Sequence, residues 1–145
     1  MKRRELFSSL ASKFTKKQEQ EKIIRPPYYN DENLFFTNCI ECEDKPCSTV
    51  CEENIIVVQE DKTVALDFSI SGCTFCDECA NACNYEVLDL AYKSNINAKI
   101  EIDILSCLSW NQTMCFSCKD PCLDDAIDFI AMFRPEINDN CTSCG

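Results

Sequence analysis

Gly72-Cys73-Thr-Phe-Cys76-Asp-Glu-Cys79-Ala-Asn-Ala-Cys83 is the stretch that decides the fold. Its cysteines follow the pattern Cys-x2-Cys-x2-Cys-x3-Cys, which is the spacing of bacterial-type [4Fe–4S] sites. In such sites the first three thiolates hold one cluster, and the fourth, on the following helix, ligates a second one. Zinc usually takes well-separated Cys-x2-Cys pairs, so four cysteines within 11 residues favour iron and sulfide.

Similar runs recur along the chain, and their first cysteines stand at 39, 73, 107 and 141, a constant interval of 34 residues. The first run has four residues instead of two between Cys42 and Cys47, and the third has seven between Cys107 and Cys115. A fixed period of this kind indicates a repeated structural unit. All fourteen cysteines are candidate cluster ligands: Cys39, Cys42, Cys47, Cys51, Cys73, Cys76, Cys79, Cys83, Cys107, Cys115, Cys118, Cys122, Cys141 and Cys144.

The exchange of fourth ligands predicts two complete [4Fe–4S] clusters in the first half of the chain. One would take Cys39, Cys42, Cys47 and Cys83, and its neighbour would take Cys73, Cys76, Cys79 and Cys51. The alternative keeps each run on its own cluster.

The third and fourth runs leave two possibilities open. If the fourth ligands are exchanged, Cys122 joins Cys141 and Cys144, and both of the last two clusters lack one cysteine ligand. Alternatively, the third run closes one cluster by itself and the tail thiols stay free. Because the fourth run stops after two cysteines, we expect the full-length chain to continue past Gly145 and to hold a third and a fourth cluster.

Composition removes other classes of site. The 145 residues include 14 cysteines and no histidine, so histidine-ligated metals and histidine-paired nucleophiles are excluded. Only two glycines are present, and there is no phosphate-binding loop. Charged residues interrupt any export signal after the basic start, and no apolar run is long enough for a membrane span. We therefore expect a cytoplasmic protein whose cysteines are reduced metal ligands.

The patterning predicts an α+β, ferredoxin-like fold of two pseudo-symmetric dicluster modules, residues 30–97 and 98–145, the second incomplete. A hairpin is expected from 55–59 and 64–68, and strands at 87–91, 99–104 and 126–130. Short helices are expected at 77–84 and 119–126.

Residues 1–29 are expected to form a basic amphipathic arm with a rigid joint at Pro26-Pro27. The arm carries eight basic and three acidic groups, whereas the rest of the chain has a net charge of −16. The arm either docks on a partner or is simply solvated. The acidic body disfavours nucleic acid and lowers the expected reduction potential of any cluster.

Several segments resemble the NapF family, the ferredoxin-type accessory proteins of periplasmic nitrate reductase. The resemblance rests on Arg3-Arg4, on 24–28, 31–35 and 68–82, and on the elongated third run 107–122. It implies a cytoplasmic iron–sulfur protein that contacts the catalytic subunit before its export, helping its maturation or supplying electrons. We accordingly expect an electron carrier or maturation factor, not an enzyme; the alternative is a zinc-stapled, cysteine-rich interaction module without redox activity.

Overall fold

The computed structural model describes residues 22–145. A π-helical turn, Phe35–Cys39, is followed by the short helix α1, Pro46–Thr49, and by strands β1, Ile56–Val58, and β2, Val64–Leu66. Helix α2, Glu78–Asn81, and a 3₁₀ turn, Leu90–Tyr92, precede strands β3, Ile127–Ile130, and β4, Arg134–Ile137. Short helices and small antiparallel sheets make this an α+β structure, as the sequence predicts.

Strands β1 and β2 form the predicted first hairpin, with Ile56 opposite Leu66 and Val58 opposite Val64. The turn is fixed locally: the Asp61 carboxylate accepts hydrogen bonds from the Thr63 N–H at 2.9 Å and from its hydroxyl at 2.7 Å. Lys62 has a φ of 65°, the left-handed conformation that closes the turn. The β-branched residues of the β1–β2 hairpin and its Asx turn explain why this hairpin can be predicted from sequence.

The apolar core is formed by residues between Tyr28 and Ile96. Its largest fully buried apolar side chains include Tyr28, Phe35, Ile55 and Val64. Pro26 and Pro27 are also buried, so the segment expected to be a joint outside the body is part of its core. The Ile24 carbonyl accepts a hydrogen bond from the Leu66 N–H at 2.8 Å, which ties this segment to β2.

The second half has little apolar core. Strands β3 and β4 pair antiparallel, and β3 confirms the strand expected at 126–130. The widened loop of the third run packs on this hairpin, because Trp110 Nε1 donates to the Pro135 carbonyl at 3.2 Å. Leu105 and Leu123 are 89% and 97% exposed.

The strand predicted at 99–104 is wrong: the segment is irregular and largely exposed. Alternation favours a strand only when a partner strand is available, and β3 and β4 pair with each other. Asp103 also ends any extended run, because its side chain accepts from the Leu105 N–H at 3.0 Å and its carbonyl from the Cys107 N–H at 2.8 Å.

Two further elements differ from the prediction. Residues 87–91 form no strand: Asp89 accepts from the Ala91 N–H at 2.8 Å and caps the 3₁₀ turn instead. Residues 119–126 form turns rather than a helix, and Asp125, with a φ of 49°, adopts a left-handed conformation incompatible with a continuous helix. The helix predicted at 77–84 is confirmed in shorter form as α2.

None of the helices between residues 22 and 145 has the length and apolar character needed to cross a bilayer. The amphipathic face predicted for the arm, which includes Leu6, Phe7, Leu10 and Phe14, lies outside the described residues.

Candidate metal centres

A first cavity, called cavity 1 below, is lined by four cysteines from two different runs. Three belong to the first run, and the fourth is Cys83 from the second. The remaining lining residues include Lys45, Val64 and Leu88. The four cysteines are Cys39, Cys42, Cys47 and Cys83.

Local structure places these thiols. The π-helical turn ends at Cys39, and Pro46 at the first position of α1 starts the helix that carries Cys47. Cys83 follows α2, which packs against α1. The Leu88 N–H donates to the Cys83 sulfur at 3.5 Å, so a backbone donor already points at that ligand position.

Cavity 2 has the reciprocal lining and a volume of about 250 Å³. Three of its cysteines come from the second run and one from the end of the first. Tyr28, Ile55 and Leu66 give it an apolar wall, and several carboxylate-bearing residues stand at its rim. Its cysteines are Cys51, Cys73, Cys76 and Cys79.

Burial and crowding make the thiols of Cys47 and Cys79 costly to ionise without a cation. Burial, followed by the nearby thiolates of Cys39 and Cys83, raises the pKa of the Cys47 thiol to about 11. In cavity 2, burial followed by the thiolates of Cys73 and Cys47 raises the pKa of Cys79 to about 12. A cationic metal core offsets this repulsion, so a group that neutralises several thiolates at once suits both cavities.

A single ion fits less well than a larger group. Among residues 22–145, no three cysteine, aspartate or glutamate side chains are arranged to hold one metal ion. A tetrahedral zinc site needs every sulfur about 2.3 Å from the ion. Four thiols around one cavity are a donor set of the kind that iron–sulfur clusters take.

The third run gathers its own four cysteines. Burial raises the pKa of the Cys118 thiol, and three neighbouring thiolates add to the rise: Cys107, Cys115 and Cys122. The Ala126 N–H donates to the Cys122 sulfur at 3.3 Å, the counterpart of the Leu88 bond to Cys83.

The cysteines of the tail lie elsewhere. The Cys144 carbonyl accepts from the Cys73 N–H at 2.6 Å, which places the tail against the loop of the second run. A Cβ added to Gly72 would lie 2.7 Å from that same carbonyl, so only glycine allows this approach. The Cys141 N–H donates to the Asn138 carbonyl at 3.2 Å, which keeps Cys141 beside the end of β4.

Similarity to known proteins agrees with this cysteine framework. The chain is 30% identical over 127 residues to "Ferredoxin-type protein NapF" of Escherichia coli strain K12, an alignment that covers 84% of the chain and 76% of the relative. The protein of the same name in Haemophilus influenzae is 31% identical over 144 residues, covering 96% and 80%. The chain belongs to the NapF family of ferredoxin-type proteins. No family model matches it, and no solved structure does.

Membership of the NapF family is consistent with the cysteine runs, but it gives no reason to expect a role for Lys45. Sequence reasoning did not single out this residue, although it lines cavity 1 and is only 7% exposed. The sequence feature that could have indicated Lys45 is the widened spacing between Cys42 and Cys47, because Lys45 stands there next to a proline.

Proposed function

We propose that this chain is an iron–sulfur accessory protein that carries electrons or assists maturation, with one [4Fe–4S] cluster at cavity 1 and one at cavity 2. The observation that carries the proposal is the reciprocal lining of the cavities, three cysteines from one run and one from the other. This arrangement is typical of two-cluster ferredoxins. When bound, such clusters supply one-electron transfer.

The chain's own residues would bind and shield that chemistry. The thiols supply the ligands, the apolar walls from Tyr28, Ile55 and Leu66 limit water at cavity 2, and the Leu88 N–H donates to a ligand sulfur at cavity 1. A third cluster on Cys107, Cys115, Cys118 and Cys122 is supported by their mutual proximity. The two-module division at residue 98 has the support of one hairpin in each half.

Metal analysis distinguishes this function from a zinc-stapled module. Anaerobically purified protein should contain about eight iron and eight sulfide for cavities 1 and 2, and a brown chromophore bleached by dithionite. Stoichiometric zinc without sulfide would contradict the proposal.

Paired substitutions test which cysteines share a cluster. Cys83→Ser with Cys42→Ser alters only cavity 1, so iron loss should equal that of either single variant. Cys83→Ser with Cys76→Ser alters both cavities, and the losses should add. Thr49→Ser, at an exposed residue that lines neither cavity, is the control and should lose no iron. The reverse pattern of additivity would assign each run to its own cluster.

The proposed partner is the catalytic subunit of periplasmic nitrate reductase, met in the cytoplasm before export. NapF-family membership supports this choice. The net charge of −11 favours a basic docking surface, so co-purification of the two proteins should weaken as salt rises. Deleting residues 2–22 should reduce capture if the basic arm contributes; capture insensitive to salt and to the deletion would contradict an electrostatic contact.

A further inference from the structure

Lys45 is a buried cation without a carboxylate partner. It is 7% exposed, and none of the ion pairs among residues 22–145 includes it. Lysine is almost never buried to this degree unless it is paired with an anion. Its burial therefore calls for a negative group close by that is not an aspartate or a glutamate.

The cysteine ligands supply that negative group. The Lys45 ammonium donates to the Cys39 carbonyl, and its Nζ lies 3.8 Å from the Cys39 sulfur. The left-handed backbone of Lys45, with a φ of 42°, immediately precedes α1 and directs the side chain back over the loop. The ammonium is thus fixed at the wall of cavity 1 by a contact within the first run.

Cavity 2 has the opposite charge at its wall. Four residues with carboxylates line it, and no lysine or arginine does: the four are Glu52, Glu53, Asp77 and Glu78. Lys93, which is not part of the lining, pairs with Asp77 at 2.7 Å, and the other three carboxylates have no ion pair among residues 22–145. A carboxylate near a cluster disfavours the addition of an electron, whereas an ammonium favours it, because reduction makes the cluster more negative.

We propose that Lys45 is a potential-setting residue, whose ammonium gives the cluster at cavity 1 a higher reduction potential than the cluster at cavity 2. The inference rests on the proposed function. One electron from an external one-electron reductant enters the chain, no bond is made or broken, and at equilibrium the electron resides at cavity 1. Cavity 2 is then the lower-potential site from which electrons pass to cavity 1.

The test is a redox titration of the anaerobic full-length protein followed by electron paramagnetic resonance. Lys45→Met removes the ammonium, Lys45→Gln retains an amide donor for the Cys39 carbonyl without charge, and Lys45→Arg retains the charge. Lys99→Met is the matched control, because it changes net charge equally at a side chain that is 83% exposed.

We expect each neutral variant to lower one midpoint potential and to leave the other unchanged. The shift should correspond to at least a tenfold change in the ratio of reduced to oxidised cluster, which is 59 mV for one electron. The arginine variant and Lys99→Met should keep every midpoint within a threefold change. If either neutral variant retains its iron with unchanged midpoints, the inference is overturned.

Iron content separates the remaining outcomes. Loss of one cluster from both neutral variants but not from Lys45→Arg supports the inference, because charge alone then decides retention. Loss from all three variants overturns it, since the lysine side chain would be needed for shape. Wild-type protein without iron and sulfide would instead refute the proposed function itself.

Discussion

Arg25 holds the N-terminal segment of the described chain against the first hairpin, and its replacement should loosen that hairpin. The guanidinium is 2% exposed, and its Nη1 donates to Thr63 Oγ1 at 2.8 Å and to the Val64 carbonyl at 2.6 Å. Its carbon Cζ lies 4.6 Å from the centre of the Phe35 ring. The guanidinium also stands 5.4 Å from the centre of the Phe36 ring, and its Nε pairs with the exposed Glu32 carboxylate at 3.9 Å. Arg25→Met keeps much of the apolar stem and removes all of these interactions.

The magnitude follows from these contacts. Hydrogen bonds from a charged donor contribute about 1.5–3 kcal/mol each. The low end applies, because Nε and Nη2 of Arg25 have no hydrogen-bond partner within residues 22–145, and the Thr63 hydroxyl keeps its bond to Asp61. Two bonds at the low end give a loss of about 3 kcal/mol, which corresponds to a roughly 100-fold change in an equilibrium constant.

Hydrogen exchange of the anaerobic holo-protein measures this loss through reversible local opening, without requiring global unfolding. Amides of 55–66 should lose about 100-fold of protection in Arg25→Met. Lys22→Met removes an exposed cation that donates to Asn97, and it should change protection less than threefold. Protection in Arg25→Met within threefold of wild type would refute the reasoning.

Three further outcomes are expected. Gly72→Ala should displace the tail from the second run, raising exchange at the Cys73 amide, because the added Cβ would lie 2.7 Å from the Cys144 carbonyl; unchanged exchange there would contradict the close approach. If Cys47 and Cys79 bind metal as proposed, binding displaces the protons of two thiols whose pKa values are raised to about 11 and about 12. Cluster retention against a chelator should then improve by about tenfold per pH unit for each thiol between pH 7 and 9, and pH-independent retention would argue against this ligation. If clusters occupy the cavities as proposed, removing iron should abolish β and helical circular dichroism together, because cysteine-lined cavities take the place of much apolar core. A cooperative thermal transition in the metal-free protein would count against this coupling.

The cysteine spacing predicted the local loop-and-helix structure because ligands of one cluster are encoded a few residues apart along the chain. The run from Cys73 to Cys83 specified a loop and a helix, and the structure has α2 there. The first hairpin was equally local, since Asp61 and Thr63 fix its turn within three residues. Features encoded within a few neighbouring residues could therefore be predicted from sequence.

Features that depend on distant partners could not. The alternating segment 99–104 lacks a strand beside it, and the choice of β3 to pair with β4 is a property of the whole second half. Pro26 and Pro27 were expected at a joint but are buried, because the Ile24 carbonyl accepts from Leu66 and the Pro27 carbonyl from Ser94, both at 2.8 Å, which holds the segment against the body. The inward direction of Lys45 depends on a single left-handed residue, which no periodicity reveals.

The reciprocal lining of the two cavities determines when each of them can be complete during translation. The wall of cavity 1 begins at Cys39 yet is unfinished until Cys83 and Leu88 have been synthesised, and cavity 2 is completed over the same interval. Neither cavity 1 nor cavity 2 can be complete while the ribosome is still translating the β1–β2 hairpin. If the cavities hold clusters as proposed, loading of either one must therefore follow the synthesis of both cysteine runs, and the two cavities become complete at nearly the same point of translation.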